Sequence, residues 1–248
     1  MSSVVYVMWL RQLKRYWRSK ARMIGTLGQP ILFLVALGYG LGAVFQQAGQ
    51  GSYIQFLAPG IIAMSVLFTA MFNGIEIIWD RQFGFLKETL VAPVPRIKIM
   101  IGRTLGGATV AFLQGIFIAI ISLFLGFHIT NFMNIPLTLV FMFMTAFLFT
   151  AIGIAIASLL KDMNAFPLII NFVIMPLFFL SGALFPVNDA PKLLQTIIKI
   201  NPLSYGVDGI RGSLLTSTFG LHVDFIVLGI WIIVASMIGS YFFSRIEI

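Results

Sequence analysis

Seven of the chain's 24 charged residues fall between Trp79 and Arg103: Asp80, Arg81, Lys87, Glu88, Arg96, Lys98 and Arg103. No histidine stands among them, and the set suits recognition through ion pairs and apolar fit rather than bond-making. The middle of the stretch, Gln82 to Ala92, reads as a short amphipathic helix, with Phe83, Leu86 and Leu90 recurring at helical spacing and Lys87 and Glu88 off that line. Pro93-Val-Pro95 stops it, because a residue before proline is pushed out of the helical region. Long apolar runs flank the island on both sides. A two-turn helix held there is placed to be gripped by something outside a membrane; the alternative is an ordinary solvated loop.

Other residues able to do chemistry are few. Glu76 is the deepest acid in the apolar runs, and a carboxylate inside a span is a functional candidate by default. The blander reading, which its position near Asp80 favours, is a shallow site paired with Arg81 or Arg103. Asn73, Gln114, Asn171 and Ser181 are scattered polar residues suited to hydrogen bonds between helices or to a polar route. Between Pro186 and Leu221 the chain is too polar to span easily. Two helical pieces are readable there, about 190–200 and 204–216, separated by Asn201-Pro202. Asp208 and Arg211 stand three apart and can pair. Such pieces would lie along the outer surface or dip in and return; a plain outer loop is the alternative.

The composition bounds what these residues can serve. The chain has 248 residues, 59% hydrophobic and 10% charged, with mean hydropathy +1.01, against the roughly 25% charge of soluble domains. It is an all-α integral membrane protein. There are no cysteines, so no disulfide or thiolate chemistry is available. His128 and His222 lie far apart without metal spacing, and no phosphate-cradling G-x-x-x-x-G-K-[ST] motif occurs. A net charge of +8 does not indicate nucleic acid, because the cations flank apolar runs instead of covering a soluble face.

Six spans are expected: 23–45, 54–78, 104–127, 135–160, 165–185 and 222–243, each near the ~20 residues a bilayer core requires. Residues 1–22 place Tyr6, Trp9, Leu10, Leu13, Tyr16 and Trp17 on one helical face and Arg11, Lys14, Arg15, Arg18 and Arg22 on another. This describes an uncleaved helix lying in the interface on anionic lipid rather than a signal peptide. Thirteen of the 16 Lys and Arg fall on one side of that arrangement, which makes both termini and the island cytoplasmic. Gly38-x-x-x-Gly42, Gly102-x-x-x-Gly106 and Gly153-x-x-x-Ala157 permit close helix contact. Pro167 and Pro176 predict a kinked fifth span.

The block DRQFGFLKETLVAPVPR after the second span, together with INPLSYGVDGIRG before the sixth, resembles the type-2 permeases of ATP-binding-cassette exporters. The likeness is to the branch holding drug-resistance and nodulation-factor permeases, and it runs from Val4 to Arg245. It implies a membrane subunit with no catalysis of its own in the cytoplasmic membrane of a prokaryote. A second copy, usually in a homodimer, and a separate ATPase subunit would be its partners, with ATP and Mg held by that ATPase. Arg81, Phe83, Gly84, Phe85, Leu86, Lys87, Glu88, Thr89 and Leu90 would form the coupling helix, with Phe83, Phe85, Leu86 and Leu90 filling an ATPase groove. Asn201, Pro202, Tyr205, Asp208 and Arg211 would belong to outer re-entrant helices. The substrate would be amphipathic, lipid-like or drug-like. An ion-coupled secondary transporter and a non-transporting assembly subunit are the alternatives.

Overall fold

The computed structural model describes residues 3–47, 51–91, 93–160, 162–187 and 191–246. Among them every regular element is helical. In chain order these are α1 (Ser3–Arg18), α2 (Lys20–Gly40), α3 (Gly42–Gln47), α4 (Tyr53–Gln82), α5 (Phe85–Val91), α6 (Arg96–Phe124) and α7 (Ile135–Leu159). They are followed by α8 (Ala165–Ile169), α9 (Met175–Phe179), α10 (Lys192–Ile200), α11 (Pro202–Leu214) and α12 (Leu221–Ser244). Among the described residues five helices are long and apolar enough to cross a membrane: α2, α4, α6, α7 with the turn before it, and α12.

The expected fifth span is the exception. Helix there runs only from Ala165 to Phe179 and contains a π-helical turn, Ile170–Ile174. At 1.5 Å per residue that is about 22 Å, short of a ~30 Å hydrocarbon core. The cause is local. Pro176 supplies no N–H and frees a carbonyl one turn back, while the Met175 N–H reaches back to the Ile170 carbonyl to close the wider turn. The helix ends at Phe179, capped at Leu180, and Gly182 then takes φ +73, a left-handed conformation that turns the chain away. The kink expected from Pro167 and Pro176 is thus a π turn lying between them.

α4 is the central pillar. About nine-tenths of its apolar window is buried, against 17% for α2 and for α12. It packs on α7, α6, α2 and α11. Lipid is as apolar as leucine, so these contacts rest on close packing rather than on water exclusion. Gly153 lets the two backbones meet: a Cβ there would come 3.0 Å from the Met71 carbonyl oxygen. The Gly102/Gly106 pair serves a different partner. A Cβ at either position would lie 2.7 Å from side-chain atoms of Met8 or Gln12, so this pair seats α1 against α6.

Candidate functional site

Four helix ends gather where the chain is most basic. α4 continues beyond the apolar region to Gln82, so Glu76, Asp80 and Arg81 all ride on one helix. The Arg81 guanidinium donates to the carbonyls of Leu160 (3.0 Å) and Ser158 (3.4 Å), closing the C-terminal end of α7. Arg96, at the start of α6, donates to the Ser244 and Ile246 carbonyls at the end of α12. Both arginines therefore satisfy terminal carbonyls that have no intrahelical partner.

Between α4 and α6 the chain turns at Gly84, φ +78, which β-bearing residues adopt only with strain. The expected helix over Gln82–Ala92 is therefore divided. Its first apolar residue, Phe83, precedes the turn and is 80% exposed, while α5 itself begins at Phe85. Phe85 is 44% exposed, Val91 79%, and Lys87 and Glu88 point outward. Leu86 differs from its expected outward role. It is 1% exposed and packs into the core of its own bundle, because the Gly84 turn folds α5 back. Thr89 is also buried and bonds to the Phe85 carbonyl at 3.0 Å. The Leu90 side chain and Ala92 lie outside the described residues.

α1 joins this end through charge. Asp80 accepts from Arg11 (3.0 Å) and from Arg103 (2.5 Å), and Arg15 stands 3.7 Å away. Glu76 accepts from Arg22 (2.5 Å), with Arg15 at 3.6 Å. The paired arginines are therefore not Arg81 or Arg103 for Glu76, as expected, but Arg22 and Arg15. Arg103 is 2% exposed, so its charge depends on Asp80, since an unpaired buried cation is strongly destabilising. Arg11 also lies over the Phe85 ring, 4.1 Å from its centroid, a cation–π contact. One arginine thus touches α1, α4 and α5 together. Beside it an open groove of about 840 Å³ is lined by Lys14, Arg18, Val7, Leu10, Phe83 and Phe85.

The other expected polar residues divide by surroundings. Asn73 donates to the Gly107 carbonyl (3.0 Å) and accepts from Arg22 (3.3 Å), holding α4, α6 and α2. Gln114 links α6 to Thr26 on α2 (2.9 Å) and accepts from the Tyr16 hydroxyl. Ser181 turns back on the Phe178 carbonyl. Asn171 sits in the π turn, exposed, beside the exposed Phe172 and Val173.

At the far end Asn201 caps α11, accepting from the Leu203 N–H (2.9 Å), and donates to the carbonyls of Leu177 and Leu180. Pro202 then occupies the first helical position, where a missing N–H costs nothing. The Tyr205 hydroxyl donates to the Lys199 carbonyl. Asp208 and Arg211 do not pair as expected. Asp208 accepts from the Ser217 hydroxyl and from the Thr218 and Phe219 N–H groups. Arg211 donates to the Gly182 and Ala183 carbonyls and lies 4.0 Å from the Phe56 ring centroid. Its burial lowers its pKa to about 10, which leaves it cationic at neutral pH.

Residues 3–215 match the model of the ABC-2 type transporter family. This chain belongs to that family. It is 31% identical to the inner membrane transport permease YadH of Escherichia coli K12, over 88% of each chain. It is 31% identical to nodulation protein J of Rhizobium leguminosarum bv. viciae, over 91% of this chain and 87% of the relative. It is 30% identical to a putative transport permease, ycf38, of Cyanophora paradoxa, over 95% and 84%. An ABC-2 member is a multi-pass membrane protein, consistent with the apolar helices. The matched region holds both the Gly84 turn with α5 and the whole of α11. Sequence reasoning missed that Arg11, Arg15 and Arg22 turn inward from α1 and α2. A signal was present: Glu76 and Asp80 are four apart, as are Arg11 and Arg15, so each pair presents one helical face to the other.

Proposed function

We propose that this chain is the membrane-spanning subunit of an exporter, working as one of two copies that are driven by separate ATPase subunits. The observation that carries this reading is the outward apolar edge of the Gly84 turn and α5. Phe83, Phe85 and Val91 are exposed there, while Leu86 and Arg11 anchor the same segment to the bundle. A lever needs one face for the partner and one fixed to the load, and this segment has both. ATP and Mg on the partner would close the ATPase pair, and α5 would pass the movement to α4 through Gly84 and to α1 through Arg11. Coupling requires contacts that differ between the two states. Lys87 and Glu88 would set the docking angle by ion pairs.

In this reading the basic end faces the cytoplasm of a prokaryotic cell, and α1 with the start of α2 lies against the inner leaflet, Lys14, Arg18 and Lys20 toward anionic lipid. The little-buried faces of α2 and of Ala165–Phe179 are suited to a second copy and to the path between copies. Asn171 would then face that path. α10 and α11 would close the path at the outer end. An amphipathic substrate suits walls with so few unpaired charges.

Purification of the full chain from its own membranes in gentle detergent tests the reading. A stoichiometric ATP-hydrolysing subunit is expected to co-purify. Its absence, with transport dissipated by an ionophore, would replace the reading by an ion-coupled transporter.

A further inference from the structure

α4 carries a polar residue on one face at nearly every turn: Ser65, Thr69, Asn73, Glu76 and Asp80. At 1.5 Å per residue this ladder runs about 22 Å from the basic end into the middle of the bundle. α2 answers with Arg22, Thr26 and Gln29 at helical spacing. The lower rungs are occupied. Asp80, Glu76 and Asn73 all have partners, and Thr26 accepts from Gln114.

The upper rungs are not. Ser65 is 1% exposed, yet its hydroxyl has no hydrogen-bond partner among the described residues. Among the described residues Thr69 and Gln29 make no side-chain hydrogen bond, and Gln29 is exposed on a span. These groups line one pocket of about 150 Å³ between α2 and α4, with Gly25, Phe68 and Phe72. Buried polar atoms are nearly always satisfied, and an amide facing hydrocarbon is costly. Two helices that bring unsatisfied groups to one pocket have left them for something outside the fold.

We propose that Gln29, Ser65 and Thr69 form a hydrogen-bonding subsite for the uncharged polar group, hydroxyl- or carbonyl-bearing, of an amphiphilic substrate. Among the described residues no charged side chain lines the pocket, so an ionic head would lose its hydration without compensation. Phe68, Phe72 and Met64 supply apolar walls, and donors and acceptors are both present in the amide and hydroxyls. The subsite rests on reading the chain as a transport permease, but it can be tested without the ATPase.

The chain has no cysteine, so one reporter thiol can be placed without background. Gly25 lines the pocket, and a Cβ there meets nothing within 4 Å; Gly229 on α12 is equally open and away from the pocket. Full-chain Gly25→Cys and Gly229→Cys in membrane vesicles are treated with a methanethiosulfonate reagent, which reacts where water reaches the thiol. Faster labelling of Gly25→Cys is expected. Octyl glucoside below its micellar concentration should slow it, and octyltrimethylammonium should not. Adding Ser65→Ala or Gln29→Leu should raise the glucoside concentration needed for half protection about five- to tenfold, the worth of one lost hydrogen bond. Equal labelling of both reporters overturns the proposal, as does equal protection by the two amphiphiles or protection indifferent to Ser65 and Gln29. Any of these failures would leave the ATPase co-purification result standing.

Discussion

The two ends of the bundle use their charges differently. At the basic end arginines and carboxylates meet side chain to side chain across α1, α2, α4 and α6. At the far end Asp208 and Arg211, three residues apart, ignore each other and each bond to backbone nearby. Ion pairs between long flexible side chains can exchange partners as helices shift, and Arg15 already stands between two carboxylates. Charges spent on fixed carbonyls and N–H groups cannot exchange without unsatisfied polar groups appearing. Arg81 and Arg96 at the basic end are also held by carbonyls, so the contrast lies in the Arg11, Arg15, Arg22 and Arg103 pairs, which can exchange partners where Asp208 and Arg211 cannot.

The strongest test of that contrast is Asp80→Asn. It leaves Arg103 buried without its carboxylate, and a loss of about 3–5 kcal/mol is expected, read as a fall in the melting temperature of the detergent-purified chain. The double variant Asp80→Asn, Arg103→Met should recover part of the loss, because the two residues share one interaction. At the far end Arg211→Met strands two carbonyls and should cost about 1–3 kcal/mol in the same measurement. Equal losses from Arg211→Met and from the Asp80/Arg103 double variant would erase the distinction drawn between the ends.

Smaller effects sharpen it. Gly102→Leu should displace α1 from α6 with little loss of the α4–α7 core, seen as faster proteolysis of the N-terminal segment in an otherwise intact chain. Arg15→Met should change stability least, by less than about 1 kcal/mol, because its contacts are long and its side chain a third exposed. A large loss from Arg15→Met would mean that the basic network is a rigid lock.

Much of this arrangement is legible from the sequence. Among the described residues, five helices of sufficient length and apolarity lie over five of the six expected runs, although α6 starts at Arg96, well before the expected Thr104, and Asn201-Pro202 marks the break between α10 and α11. The helix over the first expected run lies nearer the N-terminus, Lys20–Gly40, because Lys20–Arg22 continue it. The fifth does not reach spanning length, because two prolines and a π turn use its residues differently from what its hydropathy suggests. In the segment of the Gly84 turn and α5, apolar spacing reveals a greasy face but not which surface that face meets. Phe83, Leu86 and Leu90 read as one line until the Gly84 turn is known; Phe83 then faces out and Leu86 in. Partners of Glu76 were hidden for another reason. They come from Arg15 and Arg22, more than 50 residues away in the chain, and only packing decides between equally charged candidates.

The central claim is that the exposed edge of the Gly84 turn is where an ATPase subunit grips. Co-purification of the full chain carrying Phe83→Asp tests it most directly, because Phe83 is exposed and its replacement leaves the core intact. The chain should elute and melt as the parent does while the ATP-hydrolysing subunit is lost. Retention of that subunit at full stoichiometry, with export unchanged, would contradict the account.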